Sequence, residues 1–464
     1  MSRAKVSLRV LSVVSPERAR TEGEEMRSGC FAVVLLLQLF LSVRSAHAST
    51  ELNGLFDARS SGMGGTGVAF LDSPGAIPTN PALLDQIGKL SVSLDVLYVN
   101  AQTQAPYTIY HIDPSSGQPY RNYETMRAPP TAAALPFFGM AFRLSERVIV
   151  GAAAYPVLGQ GISSSFRPAP DEYPNVVAVN QAAMGLIEAA VPLTVRVLDS
   201  LSVAISWRIS YMTQSISLPV PSGSAPGNPP AGVLILPAEN RAVNADMRLS
   251  GVNFGGIQLG VLYRPVSMLR LGLTYRSKVV VEGTGTTTTS IGGPPTVLDT
   301  MTSYTNPHVL RAGAAVSVLN DSLLLAADFK YLLYAESYKA QRITTLMNGN
   351  EKTVVQPLNW KNAFTVQLGA EYKLTEAWRV RAGYILSSSA TPEESALALA
   401  PPPGNAHLFS AGLGIKILDT LNLDVSGGYV ALSTHIATAS AHNAGIGTYA
   451  AEALNLGASV TYHM

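Results

Sequence analysis

Arginine is the side chain with the most chemical reach in this sequence. Arg208, Arg270, Arg276, Arg311, Arg379 and Arg381 fall on the same parity of alternating segments as Asp328, Lys330 and Glu371. A planar guanidinium can hold a carboxylate through two parallel hydrogen bonds. Arg379, Arg381 and Arg311 are therefore the candidates for contact with a ligand carboxylate. The alternative is that these charges only keep a polar face hydrogen-bonded. Other chemistries are poorly served. The seven histidines are scattered, and the two in one loop, His435 and His442, read as surface residues rather than a metal pair. No nucleophile elbow, P-loop, dinucleotide fingerprint or zinc spacing occurs. Gly283–Thr289 (GTGTTTT) lacks the lysine and following helix of a phosphate cradle and reads as a loop. No serine and histidine stand out in a hydrolase arrangement. The expectation is a protein that is not an enzyme and uses no metal and no cofactor.

The elements that would position these arginines must be exported. Cys30–Val43 (CFAVVLLLQLFLSV) is too short to span a bilayer, which takes roughly 20 helical residues. It follows Met26 and Arg27 and runs into Ala46-His47-Ala48, the small-residue pattern of a signal-peptide cleavage site. Residues 1–48 thus read as an upstream extension plus a signal peptide, with Met1 and Met26 both open as the start. Cys30 is the only cysteine and lies in this leader, so the mature chain is expected to carry no disulfide and no thiolate site.

The chain is 47% hydrophobic but only 14% charged, against about 25% for an ordinary soluble domain. A net charge of +1 offers no field for nucleic acid. Beyond residue 48 no apolar run is helix-length, and the pattern has period two. In Phe364–Tyr372, Phe364, Val366, Leu368 and Tyr372 oppose Thr365, Gln367 and Glu371. In Leu323–Tyr331, Ala327, Phe329 and Tyr331 oppose Asp328 and Lys330, and in Leu201–Tyr211, Ser202, Ser206, Arg208 and Ser210 share the polar side. Alternation means strands with one greasy and one polar face. An exported, low-charge, all-strand chain meets lipid as a closed barrel, because open sheet edges cannot be satisfied there. The polar face then lines the lumen.

Six tight turns, within RLSERV (143–148), VLDSLSV (197–203), YRPVSMLR (263–270), VLNDSLL (318–324), KLTEAWRV (373–380) and ILDTLNL (417–423), alternate with long polar or Pro/Gly-rich stretches. These include Pro219–Gly232, Glu282–Pro295 and Ser387–Gly404. Short periplasmic turns against long outer loops predict a transmembrane antiparallel β-barrel of about 14 strands. Tyr98, Tyr211, Tyr275, Tyr331, Tyr372, Tyr384, Tyr429 and Tyr462 close greasy faces, as an interfacial girdle would. The last strand, LNLGASVTYHM, ends on Met464 where such barrels usually end on an aromatic residue.

Residues 49–87 do not alternate and are glycine-dense, with Gly62, Gly64, Gly65 and Gly67 close together. They read as a plug inside the lumen, or alternatively a strap outside it, ahead of a barrel over 88–464. At this point the chain resembles a family. GMGGTGVAF followed by Thr79-Asn80-Pro81-Ala82-Leu83 looks like the hatch of the FadL/TodX-type outer-membrane transporters. Leu269–Gly285, Asn306–Tyr334, Ala363–Ser395 and Leu408–Val430 read like that family's barrel repeats. The resemblance implies a 14-stranded barrel with an N-terminal hatch and passive uptake of long-chain fatty acids or hydrocarbons. It implies release sideways through the barrel wall or into the periplasm. Asn80, Pro81 and Ala82 become the hatch motif, with Asn80 anchoring by side-chain hydrogen bonds and Pro81 fixing the backbone. Expected partners are a hydrophobic small molecule and outer-membrane lipid, for a monomer. The GMGG stretch is also similar to FadL-related shuttle proteins of a Gram-negative secretion system. Its alternative is a secretion-accessory barrel that binds exported protein.

Overall fold

The computed structural model describes residues 55–222, 232–291, 293–347, 349–440 and 444–464. The upstream extension, the signal peptide with its cleavage site, Cys30 and His442 lie outside the described residues.

Fourteen antiparallel staves form one closed barrel. They are β1 (Leu90–Ile112), β2 (Pro119–Arg127 continuing as Thr131–Arg143), β3 (Val148–Phe166), β4 (Ala178–Leu198) and β5 (Leu201–Pro219). Next come β6 (Asn244–Val266), β7 (Leu269–Arg276 and Val279–Thr289), β8 (Thr296–Asn306 and Val309–Val318) and β9 (Leu323–Leu332 and Ala340–Met347). The remainder are β10 (Asn350–Pro357 and Ala363–Lys373), β11 (Trp378–Ser387), β12 (Ala406–Leu418), β13 (Leu421–Ile436) and β14 (Gly447–His463). Closure comes from β1 against β14, in register from Ser91↔His463 to Gln104↔Ala450. Both termini of the barrel meet at the end that carries the short turns, where Lys89 N donates to Met464 O at 2.6 Å.

All six tight turns connect staves as the sequence predicts. In one, Leu319, Asn320 and Asp321 are all left-handed, with φ of 53°, 54° and 61°. The local side-chain hydrogen bonding of Asn and Asp makes them tolerant of this region. The threonine-rich segment departs from expectation. Gly283–Thr289 is not a loop but the upper part of β7, paired with both β6 and β8. Branched threonines suit a pleated sheet, and their hydroxyls stay satisfied there: Thr287 and Thr300 are bonded at 2.7 Å.

Stave parity is inverted relative to a water-soluble sandwich. Leu94, Val96, Tyr98, Ile205, Trp207, Leu325, Phe329, Leu368 and Tyr372 are exposed on the outside. Ser202, Ser206, Arg208, Asp328, Lys330, Gln367 and Glu371 are buried on the inside. What buries them is the N-terminal segment. Residues 55–87 contain a five-residue helix, Ala58–Gly62, and two 3-10 turns, Pro74–Ala76 and Pro81–Gln86. Their hydrogen-bond partners come from staves on every side of the barrel, which places the segment within the lumen.

The inner wall is not uniformly polar as expected. Around β1 to β4 it is apolar: Leu97, Val99, Leu135, Phe137, Ile149, Tyr155, Leu158, Ile162 and Leu186 are all buried in one cluster. Here both faces of a stave are greasy, one toward lipid and one toward the lumen, so alternation is lost. Continuous runs such as LPFF (135–138) and AAAYPVL (152–158) carry that signal in the sequence.

Candidate functional site: an apolar path past the N-terminal segment

The segment's seat is built from small residues and single polar anchors. Asp57 caps the short helix, its side chain accepting from Ser60 N at 2.9 Å, and Ser459 Oγ accepts from Ala58 N at 2.8 Å. Arg59 donates twice to Glu371, at 2.9 and 2.8 Å. Asp328 accepts from Gly67 N and Val68 N at 2.7 and 3.0 Å, and Gln367 donates to Gly65 O at 2.9 Å. Backbone reaches wall directly at the glycines. A Cβ on Gly62 would stand 2.9 Å from Gly412 Cα, and one on Gly64 would stand 2.6 Å from Tyr384 N. Gly64 and Gly65 also hold φ near +68° and +69°, a conformation that suits glycine.

The Asn-Pro-Ala triplet starts the second 3-10 turn. Asn80 is its cap: Oδ1 accepts from Ala82 N at 3.1 Å, while Nδ2 donates to Val68 O at 2.8 Å and to Val261 O of β6 at 3.0 Å. Pro81 occupies the first turn position, where no N–H is needed, and its carbonyl accepts from Thr194 at 2.8 Å. Ala82 is fully buried. At the end of this turn Asp85 meets Arg196 (2.8 Å), Arg264 (2.6 Å) and Ser202 (2.7 Å). Burial alone would push its carboxyl up, but the bonds from Arg264, Ser202 and Arg196 hold it below the ordinary aspartate value. This clamp has no counterpart in the sequence reading, since its partners come from three different staves.

The arginine candidates are placed as follows. Arg381 is buried, 2.6 Å from Glu371 and 2.7 Å from Asp424, so wall carboxylates already hold it. Arg311 is buried on β8, in register with Lys330. Arg379 lies toward the short-turn end and lines a polar cavity of about 750 Å³ together with Arg264, Arg270 and Lys373. None of the three lines the apolar cavity described next.

That cavity, of about 500 Å³, lies toward the long loops. Its walls include Leu158, Met184, Ile216, Tyr304, Tyr338 and Trp360, with Leu397–Pro401 of the loop after β11. Tyr338 and Trp360 are stacked, with centroids 4.5 Å apart, and Tyr334 meets Trp360 edge-on at 5.4 Å. Leu158 belongs both to this wall and to the apolar cluster around β1 to β4. The cluster continues to an aromatic group, Phe137, Tyr155 and Phe56, with centroids 6.1 Å (Phe137–Tyr155) and 6.4 Å (Phe56–Tyr155) apart. Phe56 is contributed by the N-terminal segment.

The hydrogen-bond ladder of the barrel wall breaks beside this same group. β2 and β3 pair only from Phe138↔Ala154 to Arg143↔Ile149. Beyond that, Thr131–Phe137 remains paired to β1 and Tyr155–Phe166 to β4, but not to each other. Continuing the register would set Pro136 opposite Pro156. Neither proline has an N–H to donate, so the ladder ends where the two would meet. A register shift against β4 between Pro156 and Leu158 bends β3 further. Tyr155, just past the break, is held by its hydroxyl to Glu188 at 3.2 Å, and Glu188 is held by Arg208 (2.7 Å) and Arg276 (2.6 Å). Buried charges persist when paired, and this group fixes the free edge of β3. Among the described residues no cluster of His, Asp and Glu is placed to hold a metal.

Comparison with known proteins agrees with this architecture. The model of the family described as outer membrane protein transport protein (OMPP1/FadL/TodX) matches residues 48–464. Outer membrane protein P1 of Haemophilus influenzae is 25% identical over 201 residues, which cover 42% of this chain and 41% of that protein. The match thus spans about two fifths of the length of this relative. A Pseudomonas aeruginosa FadL homologue of known structure shares the fold with a TM-score of 0.68 at 18% identity, covering 89% of this chain and 98% of its own. The P. putida toluene transporter TodX does so with a TM-score of 0.65 at 16% identity, covering 87% and 97%. With an outer-membrane-type barrel, matched over residues 48–464 by one family, this chain belongs to the OMPP1/FadL/TodX outer-membrane transport proteins.

Proposed function

We propose that this protein carries hydrophobic small molecules passively across the outer membrane, with residues 49–87 acting as a hatch. A single observation carries the reading: the apolar inner wall is continuous from the upper cavity, through Leu158, to the break between β2 and β3. A molecule of fatty-acid or hydrocarbon class would leave the cavity along this wall. It would then pass the Phe56, Phe137 and Tyr155 rings and exit sideways into lipid between β2 and β3. This lateral route avoids the short-turn end, where ion pairs of the hatch and a charged, polar cavity line the way. A FadL homologue and a toluene transporter share the fold, which supports the reading without naming the cargo.

Asn80 is the residue that ties the hatch to both itself and the wall, so its removal should loosen the lower end of the path. The test is native mass spectrometry and lipid extraction of the barrel purified from outer membranes in mild detergent. Stoichiometric bound hydrophobe, depleted in Asn80→Ala, is the expected result. An empty barrel that instead retains an exported protein would replace transport with the secretion-accessory reading.

A further inference from the structure

We infer that the upper cavity selects an uncharged hydrophobic molecule bearing a hydroxyl, of phenol-like chemistry, in preference to a carboxylate. The inference rests on the transport reading above and narrows its cargo. Among the described residues, none that lines the cavity is Asp, Glu, Lys, Arg or His. An ionised carboxylate moved from water into such walls finds no cation to offset its desolvation. The arginines that could pair with it lie elsewhere, on the hatch seat and at the polar mouth.

The cavity is nonetheless not purely apolar. Gln214 Oε1, Ser337 Oγ and Trp360 Nε1 belong to residues of its lining, are buried, and have no hydrogen-bond partner. Orphaned buried polar atoms are uncommon, and each asks for a partner. One is an acceptor, one a donor, and the serine hydroxyl is both. A carboxylate only accepts, so it would face the Gln214 oxygen with repulsion. A hydrocarbon would leave all three atoms unpaired. A hydroxyl donates and accepts, and so can use an acceptor and a donor of this set. The stacked Tyr338 and Trp360 rings add a flat wall suited to an aromatic body.

Trp360 supplies the reporter. The other two tryptophans, Trp207 and Trp378, are exposed on the barrel surface. A Trp207→Phe/Trp378→Phe protein in lipid nanodiscs, with empty nanodiscs as baseline, is titrated at neutral pH with p-cresol, toluene and p-toluate. The three probes share ring and methyl group and differ in hydroxyl, nothing or carboxylate. Expected is p-cresol binding about threefold to tenfold tighter than toluene, the range of one neutral hydrogen bond, with p-toluate weakest. Adding Gln214→Leu should remove the p-cresol advantage and leave toluene affinity unchanged, toluene serving as the folding control. Equal affinity for p-cresol and toluene, p-toluate matching p-cresol, or an advantage that survives Gln214→Leu overturns the hydroxyl assignment while hydrophobe binding stands. Failure of all three probes to bind overturns the transport reading as well.

Discussion

Asp85 gathers three barrel side chains onto the last turn of the N-terminal segment, and its ionisation ties the hold on that turn to pH. Its carboxyl is held below the ordinary value of 3.8, since hydrogen bonds from Arg264, Ser202 and Arg196 outweigh burial. A depressed carboxylate contributes stability that is complete above its unperturbed pKa and is lost as pH falls through the lower, docked value. Hydrogen-exchange protection of the last turn, Pro81–Gln86, relative to the intrinsic rate at each pH, should therefore hold from neutral pH down to about 3.8 and fall below it. Asp85→Asn should bring the fast exchange up to neutral pH, because unpairing a buried ion pair costs about 3 kcal/mol. Exchange in that variant matching the parent at pH 7 would refute the clamp. At this scale the sequence was partly legible. Asn80, Pro81 and the glycines stand out by type, and Asn80, Gly62 and Gly64 meet the barrel wall. Asp85 did not stand out, because its arginine partners are 111 and 179 residues away.

On the proposed lateral route, the element that decides passage is the break between β2 and β3. Restoring donors with Pro136→Val/Pro156→Val should let the ladder continue by one or two bonds. At about 1 kcal/mol each, these would slow passage through the wall roughly fivefold to thirtyfold. Uptake of a radiolabelled hydrophobe by cells carrying the double variant is the measurement, and an undiminished rate would mean that the cargo leaves elsewhere. Both prolines are plain in the sequence, each inside a strand-like run. What is not plain is that they face one another, which depends on the register across a turn that only pairing defines. The Gly283–Thr289 stretch illustrates the same limit in reverse. Glycine and threonine between glycine-rich neighbours read as a loop, yet the segment gains a partner on each side and becomes stave.

For the whole molecule, closure through β1 and β14 is what lets an outward greasy surface exist in lipid. Deleting 447–464 removes β14 and leaves the edges of β1 and β13 unpaired, which a bilayer does not tolerate. The truncated chain should lose the heat-dependent shift in gel mobility shown by a folded barrel. A truncated form that still shifts would contradict closure by this stave. The inverted parity explains why so little charge suffices. Polar side chains such as Ser202, Arg208, Asp328, Gln367 and Glu371 are turned inward, while the outer face of the same staves is apolar.

The sequence by itself determined the barrel, its approximate stave number and the turn positions. These follow from local rules: a period of two, turn chemistry, and the absence of helix-length apolar runs after residue 48. The family could be read as well, from an ordered set of short motifs. Tertiary structure alone decided the rest. Which inward positions are apolar, which arginines already hold carboxylates, and where two prolines end a ladder all depend on residues far apart in sequence. Parity says that a side chain points inward. It does not say whether hatch, cavity or another charge is waiting there, and that difference separates a structural arginine from one that is open to a ligand.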